Sequence, residues 1–200
     1  MIIGITGGTG CGKTTLLNVI EDCDGVVLDC DAIYHGLLET DQDLLSAIEN
    51  RFPGTVKNGQ LQRKKLGQIV FHDQTALEDL NRITHSAVKR EVVKKLAEDH
   101  KLVAIDAIGL FESRLNALCQ VTVAVTAPKE DRIKRLMARD GITKEYAQSR
   151  IEAQPSNEDF SRRCDHVLEN DSDRDIFKAK CLAFLTQLGI IKENNKGESL

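Results

Sequence analysis

Gly7-Gly8-Thr9-Gly10-Cys11-Gly12-Lys13-Thr14 follows the apolar run Ile2-Ile3-Gly4-Ile5 and precedes Thr15-Leu16-Leu17-Asn18-Val19-Ile20, whose spacing predicts a helix. Strand, glycine-rich loop and helix in that order, with Gly7, Gly12, Lys13 and Thr14 in the G-x-x-x-x-G-K-[ST] pattern, read as a phosphate-binding loop of the Walker A type. Glycines at 7, 8, 10 and 12 let the backbone adopt positive φ and approach an anion closely, so the loop N–H groups can turn inward around phosphate oxygens. A helix starting at about Lys13 points its positive dipole end at the same place. Lys13 is then expected to reach the β/γ-phosphates and the Thr14 hydroxyl to ligate Mg²⁺. The loop alone leaves a kinase, a GTPase and an ATPase motor open.

The 200 residues suit one domain and are too few for a multidomain motor. Only 4% of residues are aromatic and the formal net charge is −4, so neither stacking on bases nor a basic nucleic-acid footprint is suggested. Cysteines 11, 23, 30, 119, 164 and 181 form no C-x-x-C pair, which predicts reduced thiols, no zinc site and a cytoplasmic protein. No apolar run approaches the roughly 18 residues that span a membrane, and the loop's closeness to Met1 predicts that no signal peptide precedes it.

Further strands are predicted at Val26-Val27-Leu28-Asp29, Leu102-Val103-Ala104-Ile105-Asp106, Val121-Thr122-Val123-Ala124-Val125-Thr126 and His166-Val167-Leu168-Glu169-Asn170. Strands alternating with helical segments imply parallel β-α units and hence a parallel sheet flanked by helices. Asp29-Cys30-Asp31 falls at a strand's carboxyl end, where open parallel sheets place ligands, so Asp31 is a candidate catalytic group. Asp31 could instead be a plain N-cap of the following helix, and the two roles can coexist. Asp106 ends a buried-type strand in the manner of a Walker B acid that helps hold Mg²⁺ directly or through water.

From Asp41 to about His100 the periodicity is helical: Leu44, Leu45 and Ile48 form one apolar face, and Leu77, Leu80, Ile83, Val88, Val92 and Leu96 another. Pro53-Gly54 and Asn58-Gly59 mark turns. Such a stretch inside a phosphate-loop domain reads as an inserted substrate-binding region in which Arg63, Lys64, Lys65 and His85 are candidate anion contacts. After Pro128, Arg132, Arg135 and Arg139 recur at i, i+3 and i+7 on one face of a helical stretch running to Arg150. Guanidinium groups near a migrating phosphoryl group fit a lid, and a solvated helix paired to Glu130, Asp131 and Asp140 fits the same charges. Lys192 to Leu200 is polar and expected to fray.

Together these residues resemble the dephospho-CoA kinase family, from Ile3 to about Asn170. The likeness rests on Gly4-Ile5-Thr6-Gly7-Gly8 with Gly12-Lys13-Thr14, Asp29-Cys30-Asp31-Ala32-Ile33, and Gly59-Gln60-Leu61-Gln62-Arg63. It continues through Ile83-Thr84-His85, Asp106 with Leu110-Phe111-Glu112, Arg135 with Arg139, Arg150 with Gln154, and Cys164-Asp165-His166-Val167-Leu168-Glu169-Asn170. The chain departs from the pattern where Pro-Leu-Leu-Phe-Glu is Ile108-Gly109-Leu110-Phe111-Glu112, and where a proline after the histidine is Ser86, so the helix around His85 is expected to run on unbroken.

The resemblance implies an α/β fold of the P-loop NTPase class, an adenylate-kinase-like parallel sheet flanked by helices. Its core would comprise about 1–30, 102–140 and 166–190, its helical substrate-binding insert about 31–101 and its lid about 141–165. It implies transfer of phosphate from ATP to the ribose 3′-hydroxyl of dephospho-CoA, giving coenzyme A and ADP, with Mg²⁺. By the same resemblance Gly8, Thr9, Gly10, Cys11, Gly12, Lys13, Thr14, Thr15 and Asn170 would bind the nucleotide and Thr14 the metal. Asp31, His35, Arg63, His85 and Asp106 would bind the acceptor, and Lys13, Asp31, Arg135 and Arg139 would act in the chemistry. Asp31 would orient and deprotonate the acceptor hydroxyl.

Small-molecule substrates, no nucleic acid or membrane, and a monomer or weak homo-oligomer are the expected partners. A nucleoside or nucleotide kinase on this scaffold is the nearest rival. A GTPase switch is more distant, suggested by Asp106-Ala107-Ile108-Gly109 as D-x-x-G and by Asn195-Lys196-Gly197-Glu198. The thiol of Cys11, beside Lys13 and a helix N-terminus, reads two ways: acidic and open to alkylation that ATP slows, or inert and shielded by its neighbours.

Overall fold

A computed structural model describes residues 1–191; the polar end from Lys192 and the Asn195-Lys196-Gly197-Glu198 segment lie outside the described residues. Five strands form one parallel sheet: β1 (Ile2–Thr6), β2 (Val26–Asp29), β5 (Val103–Asp106), β6 (Val121–Thr126) and β7 (His166–Glu169). Their order is β2-β5-β1-β6-β7, with β1 at the centre. The remaining strands, β3 (Val56–Lys57) and β4 (Gln60–Leu61), pair in an antiparallel hairpin across Asn58-Gly59. The five apolar runs thus become the sheet. The hairpin, too short to show alternation, is the addition to the helical insert read from sequence.

Nine helices are described: α1 (Lys13–Glu21), α2 (Cys30–Thr40), α3 (Gln42–Arg51), α4 (Arg63–Phe71), α5 (Gln74–Leu96), α6 (Lys129–Asp140), α7 (Lys144–Glu152), α8 (Asn157–Arg163) and α9 (Arg174–Gln187). Successive strand residues face opposite sides of the sheet. Ile3, Ile5, Val123 and Val125 accordingly join Leu16, Val19 and Ile20 of α1 and Phe177, Cys181, Phe184 and Leu185 of α9 in one core. Val103 and Ile105 face the other side, with Val88 and Val92 of α5 and with Leu110 and Leu115. Burying one such leucine or isoleucine side chain contributes about 1.5–3 kcal/mol. The segment between β2 and β5 has its own core of Leu38, Leu44, Leu45, Ile48, Phe52 and Leu66.

Helix α5 runs unbroken for 23 residues through His85 and Ser86, as the absence of proline predicts. The helical stretch read from Pro128 to Arg150 is instead two helices. It breaks at Gly141, whose φ of 65° closes α6 with a left-handed cap before Thr143 caps α7. At the far edge of the sheet the Asp165 carboxylate accepts the Thr122 N–H at 2.8 Å and the Thr122 hydroxyl at 2.7 Å. That clamp fixes where β7 begins, and at its other end the Asn170 N–H donates to the Thr126 carbonyl at 2.8 Å. Hydrogen bonds from Thr122 hold the Asp165 carboxyl below its usual range.

Candidate active site

The phosphate loop leaves β1 at its carboxyl end, where the strand order reverses and an open parallel sheet forms its ligand crevice. Gly12 is the N-cap of α1 with φ 98°, a conformation glycine takes without a Cβ clash. Gly8 is glycine for a different reason: a Cβ there would strike the Arg132 guanidinium. The N–H groups of Lys13 and Thr14 belong to the helix start, where no intrahelical carbonyl can accept them, and so face the crevice as anion donors. The Lys13 ammonium donates to the Gly7 carbonyl at 2.9 Å, which parks the charge inside the loop.

A cleft of about 430 Å³ lies over this loop. It is lined by Gly8 to Thr14, by Asp31, Asp106 and Ile108, and by Arg135, Arg139, Arg150 and Gln154. Lys13, Thr14, Asp31, Asp106, Arg135 and Arg139, far apart in sequence, therefore meet in one place. Asp106 is the shifted carboxyl of the cleft. Burial is the main cause that raises its carboxyl to about 6; Asp29 and Asp31 push the same way, and Lys13 opposes them. Its Oδ1 is buried with no hydrogen-bond partner among the described residues.

The capping question at the end of β2 is settled by geometry. Asp29 is the N-cap of α2, its carboxylate accepting the N–H groups of Asp31 and Ala32 at 2.9 and 3.0 Å. Asp31 stands in the first turn with an exposed side chain on the cleft, so the cap reading of Asp31 is corrected by two residues.

The arginines of α6 have three different fates. Arg132 is 3% exposed; its Nε donates to the Thr9 carbonyl at 2.9 Å and its remaining nitrogens reach Asn157 and Gln154. Gln154 Oε1 in turn accepts the Thr9 N–H at 2.8 Å, so both polar groups of the Thr9 peptide are held by the α6 to α8 segment. Arg135 donates to the carbonyls of Gly10, Cys11 and Asn170 and to the Asn170 side chain at 3.2–3.4 Å. Arg139 and Arg150 share Asp140, and these hydrogen bonds hold that carboxyl down at about 2. The solvated-pair reading thus fits Arg139 in part, while Arg132 is a buried strut.

Asn170 is buried behind the loop, its Nδ2 donating to the Cys11 carbonyl at 2.9 Å, and Thr15 caps back to Gly12; neither lines the cleft. Of the two readings of Cys11, burial favours the shielded one over the reactive one. The side chain is 1% exposed and packs in the core under the loop, and burial raises its thiol despite Lys13 and Arg132.

A second chamber, of about 230 Å³, adjoins the first through Asp31 and Ile108. Its walls are Cys30 and Tyr34 of α2, the α5 face Leu80, Asn81, Thr84, His85 and Val88, and Ala107 to Gly109 with Ser113 and Leu115. His85 is half-buried, and burial lowers its imidazole while Glu112 opposes. His35 is exposed with its ring 5.6 Å from that of Tyr34 and lines neither chamber. Arg63 is exposed at the start of α4, on a surface groove with Lys57, Lys64 and Lys65. Of the chamber's walls, His85 was expected from sequence as a substrate contact, and Leu80 and Val88 as part of an apolar face; Tyr34, Asn81 and Ile108 were not expected at a site, although the spacing 81, 84, 85 and 88 marks one face of a helix.

No described helix is long and apolar enough to cross a membrane. The sequence pattern of the dephospho-CoA kinase family matches residues 1–175. A dephospho-CoA kinase of Corynebacterium diphtheriae is 34% identical, over 88% of this chain and 92% of its own. A dephospho-CoA kinase of Moorella thermoacetica is 35% identical over 94% and 92%. A crystal structure from Thermus thermophilus superposes with a TM-score of 0.78 at 33% identity, over 94% of this chain and 97% of the other. With the loop, the acidic cluster and the two adjoining chambers in place, this chain belongs to the dephospho-CoA kinase family.

Proposed function

We propose that the chain transfers the γ-phosphoryl group of ATP to the ribose 3′-hydroxyl of dephospho-CoA, the last step of coenzyme A formation. The observation that carries this is the junction of the two chambers at Asp31. A phosphate-binding cleft and a more apolar pocket meet at one exposed carboxylate, where donor and acceptor must meet.

In this reading the loop N–H groups hold the phosphate chain and Lys13 leaves the Gly7 carbonyl for the β/γ-oxygens. Asp31 accepts the proton of the acceptor hydroxyl as its oxygen bonds to the γ-phosphorus. The bond from that phosphorus to the β,γ-bridging oxygen breaks, and ADP departs. Lys13, Arg139 and Arg150 face charge spread over the transferring oxygens, and because the transition state is loose, their placement outweighs base strength. Thr14 and the unpartnered Oδ1 of Asp106 supply the oxygen donors a hard cation prefers, so the residues fit Mg²⁺. When bound, that ion would neutralise charge on the phosphate oxygens.

We assign residues 31–101 as the acceptor-binding insert and 141–165 as the lid, with Arg63 and His35 at the insert's outer surface for the far end of the acceptor. The Thr9 N–H donated to Gln154, next to the core's Arg132 on the Thr9 carbonyl, supports a lid that works on the loop. We also place the enzyme in the cytoplasm as a monomer or weak homo-oligomer without nucleic-acid partners, which six free cysteines and the net charge of −4 support.

The test is product analysis with ATP and Mg²⁺ against dephospho-CoA and a panel of nucleosides and nucleotides. Coenzyme A formed with a kcat/KM at least about 10²-fold above any other acceptor is the expected result. A nucleoside or nucleotide preferred over dephospho-CoA would replace this reading with a nucleotide kinase.

A further inference from the structure

Arg132 is a buried cation that no acid neutralises. Its side chain is 3% exposed, and its hydrogen-bond partners among the described residues are all neutral: the Thr9 carbonyl at 2.9 Å and the side-chain oxygens of Asn157 and Gln154 at 3.4 Å. The acids that share its groove, Glu152 and Glu158, are exposed, and Glu152 is paired with Lys129 at 2.8 Å. Burial works against the charge, yet a guanidinium does not give up its proton. Hydrogen bonding does not explain the choice of residue. A glutamine carries its Nε2 as many bonds from the backbone as an arginine carries its Nε, so it would make the same bond to Thr9 with no charge to desolvate. What arginine adds at this position is the charge.

That charge lies behind the phosphate loop. Gly8, Thr9 and Gly10 line the cleft and Arg132 does not. The loop packs on it closely: a Cβ on Gly8 would stand 2.8 Å from the guanidinium carbon, and one on Gly10 would stand 3.0 Å from the Arg132 carbonyl oxygen. The peptide joining Thr9 to Gly10 is trans, so its N–H points opposite to its C=O. With the C=O turned to Arg132, the Gly10 N–H is turned away from it, and that N–H has no hydrogen-bond partner among the described residues.

Resting on the reading of this loop as the phosphate site, we propose that Arg132 is a positioning residue for the polyphosphate of the nucleotide. It sets an uncompensated positive charge behind the loop and delivers it through the peptide between Thr9 and Gly10, without touching the ligand. Because the charge is buried, salt screens it little, and the phosphates that enter the cleft supply the counter-charge that the fold leaves out.

The experiment titrates ATP with Mg²⁺, and separately inorganic tripolyphosphate, into wild type, Arg132→Gln, Arg132→Lys, Asn157→Asp and Asn157→Ala, with melting curves taken without ligand. Arg132→Gln should weaken both ligands by about tenfold or more while melting no lower than wild type, since it removes a buried unpaired charge. Arg132→Lys, which restores the charge without the guanidinium fork, should recover most of that loss. Asn157 is outside the cleft lining, so Asn157→Asp neutralises the guanidinium in place. It should bind about tenfold more weakly than Asn157→Ala, which loses the same 2.9 Å bond to the Ala127 carbonyl without adding charge. Arg132→Gln binding within threefold of wild type, or Arg132→Lys falling as far as Arg132→Gln, overturns the proposal. If the Arg132 variants fail to fold, the Asn157 pair decides alone, and equal binding by its two members overturns the proposal. Wild type binding neither ligand strikes the phosphate-loop reading itself, a distinct result.

Discussion

Replacing Asp106 with asparagine is expected to stabilise the protein and to silence it. The carboxyl is raised from its ordinary 3.8 to about 6 by burial, so at pH 7.5 it is ionised in a place that resists ionisation. The gap between 3.8 and about 6 corresponds to about 3 kcal/mol against the folded state at neutral pH. The sign follows from proton binding: the folded chain holds this proton more tightly than the unfolded one. Wild-type stability is therefore least impaired below pH 3.8 and falls as pH rises through about 6.

Asparagine removes the charge but brings an N–H₂ that needs partners, which offsets part of the gain. The net expectation is about 1–3 kcal/mol at pH 7.5, or roughly 2–10 °C in melting temperature for a chain of this size. Melting curves of both proteins with a chelator present, at pH 4 and pH 7.5, measure it. The advantage of Asp106→Asn should be present at pH 7.5 and nearly vanish at pH 4, while turnover with ATP and Mg²⁺ drops by about 10² or more. A variant less stable than wild type at pH 7.5, or an advantage that ignores pH, would refute the argument that unpaired ionisation at Asp106 is what the fold tolerates for function.

Lys13→Ala should leave the circular dichroism spectrum intact and lower kcat by about 10²–10³, because the backbone nest remains but the charge on the phosphates is lost; activity within a few-fold of wild type would remove Lys13 from the mechanism. Asp31→Asn should keep stability within about 0.5 kcal/mol, since the cap belongs to Asp29, and lower kcat by about 10²–10⁴ with nucleotide affinity unchanged. Asp29→Ala should do the opposite, costing about 1 kcal/mol through the lost cap, so matched melting and kinetic measurements on the two variants separate the roles. Alkylation of the native protein should spare Cys11, which is 1% exposed, and modify the half-buried Cys23 before Cys119 and Cys164, whose thiols burial pushes up to about 12 and about 11. Mapping by mass spectrometry that finds Cys11 labelled early and protected by ATP would restore the reactive-thiol expectation.

The sheet was legible because parallel strands covered by helices on both faces read as short unbroken apolar runs, and all five predicted runs became strands. The loop was legible because its glycines and its lysine have narrow physical reasons. What the sequence concealed concerns direction. Asp29-Cys30-Asp31 offers two acids for one cap, and a boundary shift of two residues exchanges their roles. Cys11 lies in a loop rich in positive potential, yet the loop turns its backbone outward and so drives this side chain inward. Three arginines on one helix face looked alike, but the loop's close approach at Gly8 buries Arg132 and leaves Arg139 in the cleft. Charge pattern alone shows which face a residue occupies, and packing decides whether that face is water, wall or strut.

The departures from ordinary stability rules gather at one edge of the sheet, and that is an argument about function independent of any relative. The strands themselves are largely satisfied: the apolar residues of the central strands are mostly buried, Val167 of the edge strand β7 being exposed, and their backbone groups pair along the ladder. At the carboxyl ends of β1, β2 and β5 the fold instead tolerates three acids near one lysine, an unpartnered buried carboxylate oxygen, and a guanidinium buried against a backbone carbonyl. A chain selected for stability alone would gain by neutralising Asp106, and it would have no use for holding both sides of the Thr9 peptide. Each oddity makes sense once a polyanion enters the cleft. On the proposed function the acids would gain a cation, Lys13 would gain phosphates in place of the Gly7 carbonyl, and the Thr9 contacts would tie the loop to the segment that carries Arg139, Arg150 and Gln154. The site is therefore built for a guest whose charges complete it, and its instability without that guest locates it in the fold.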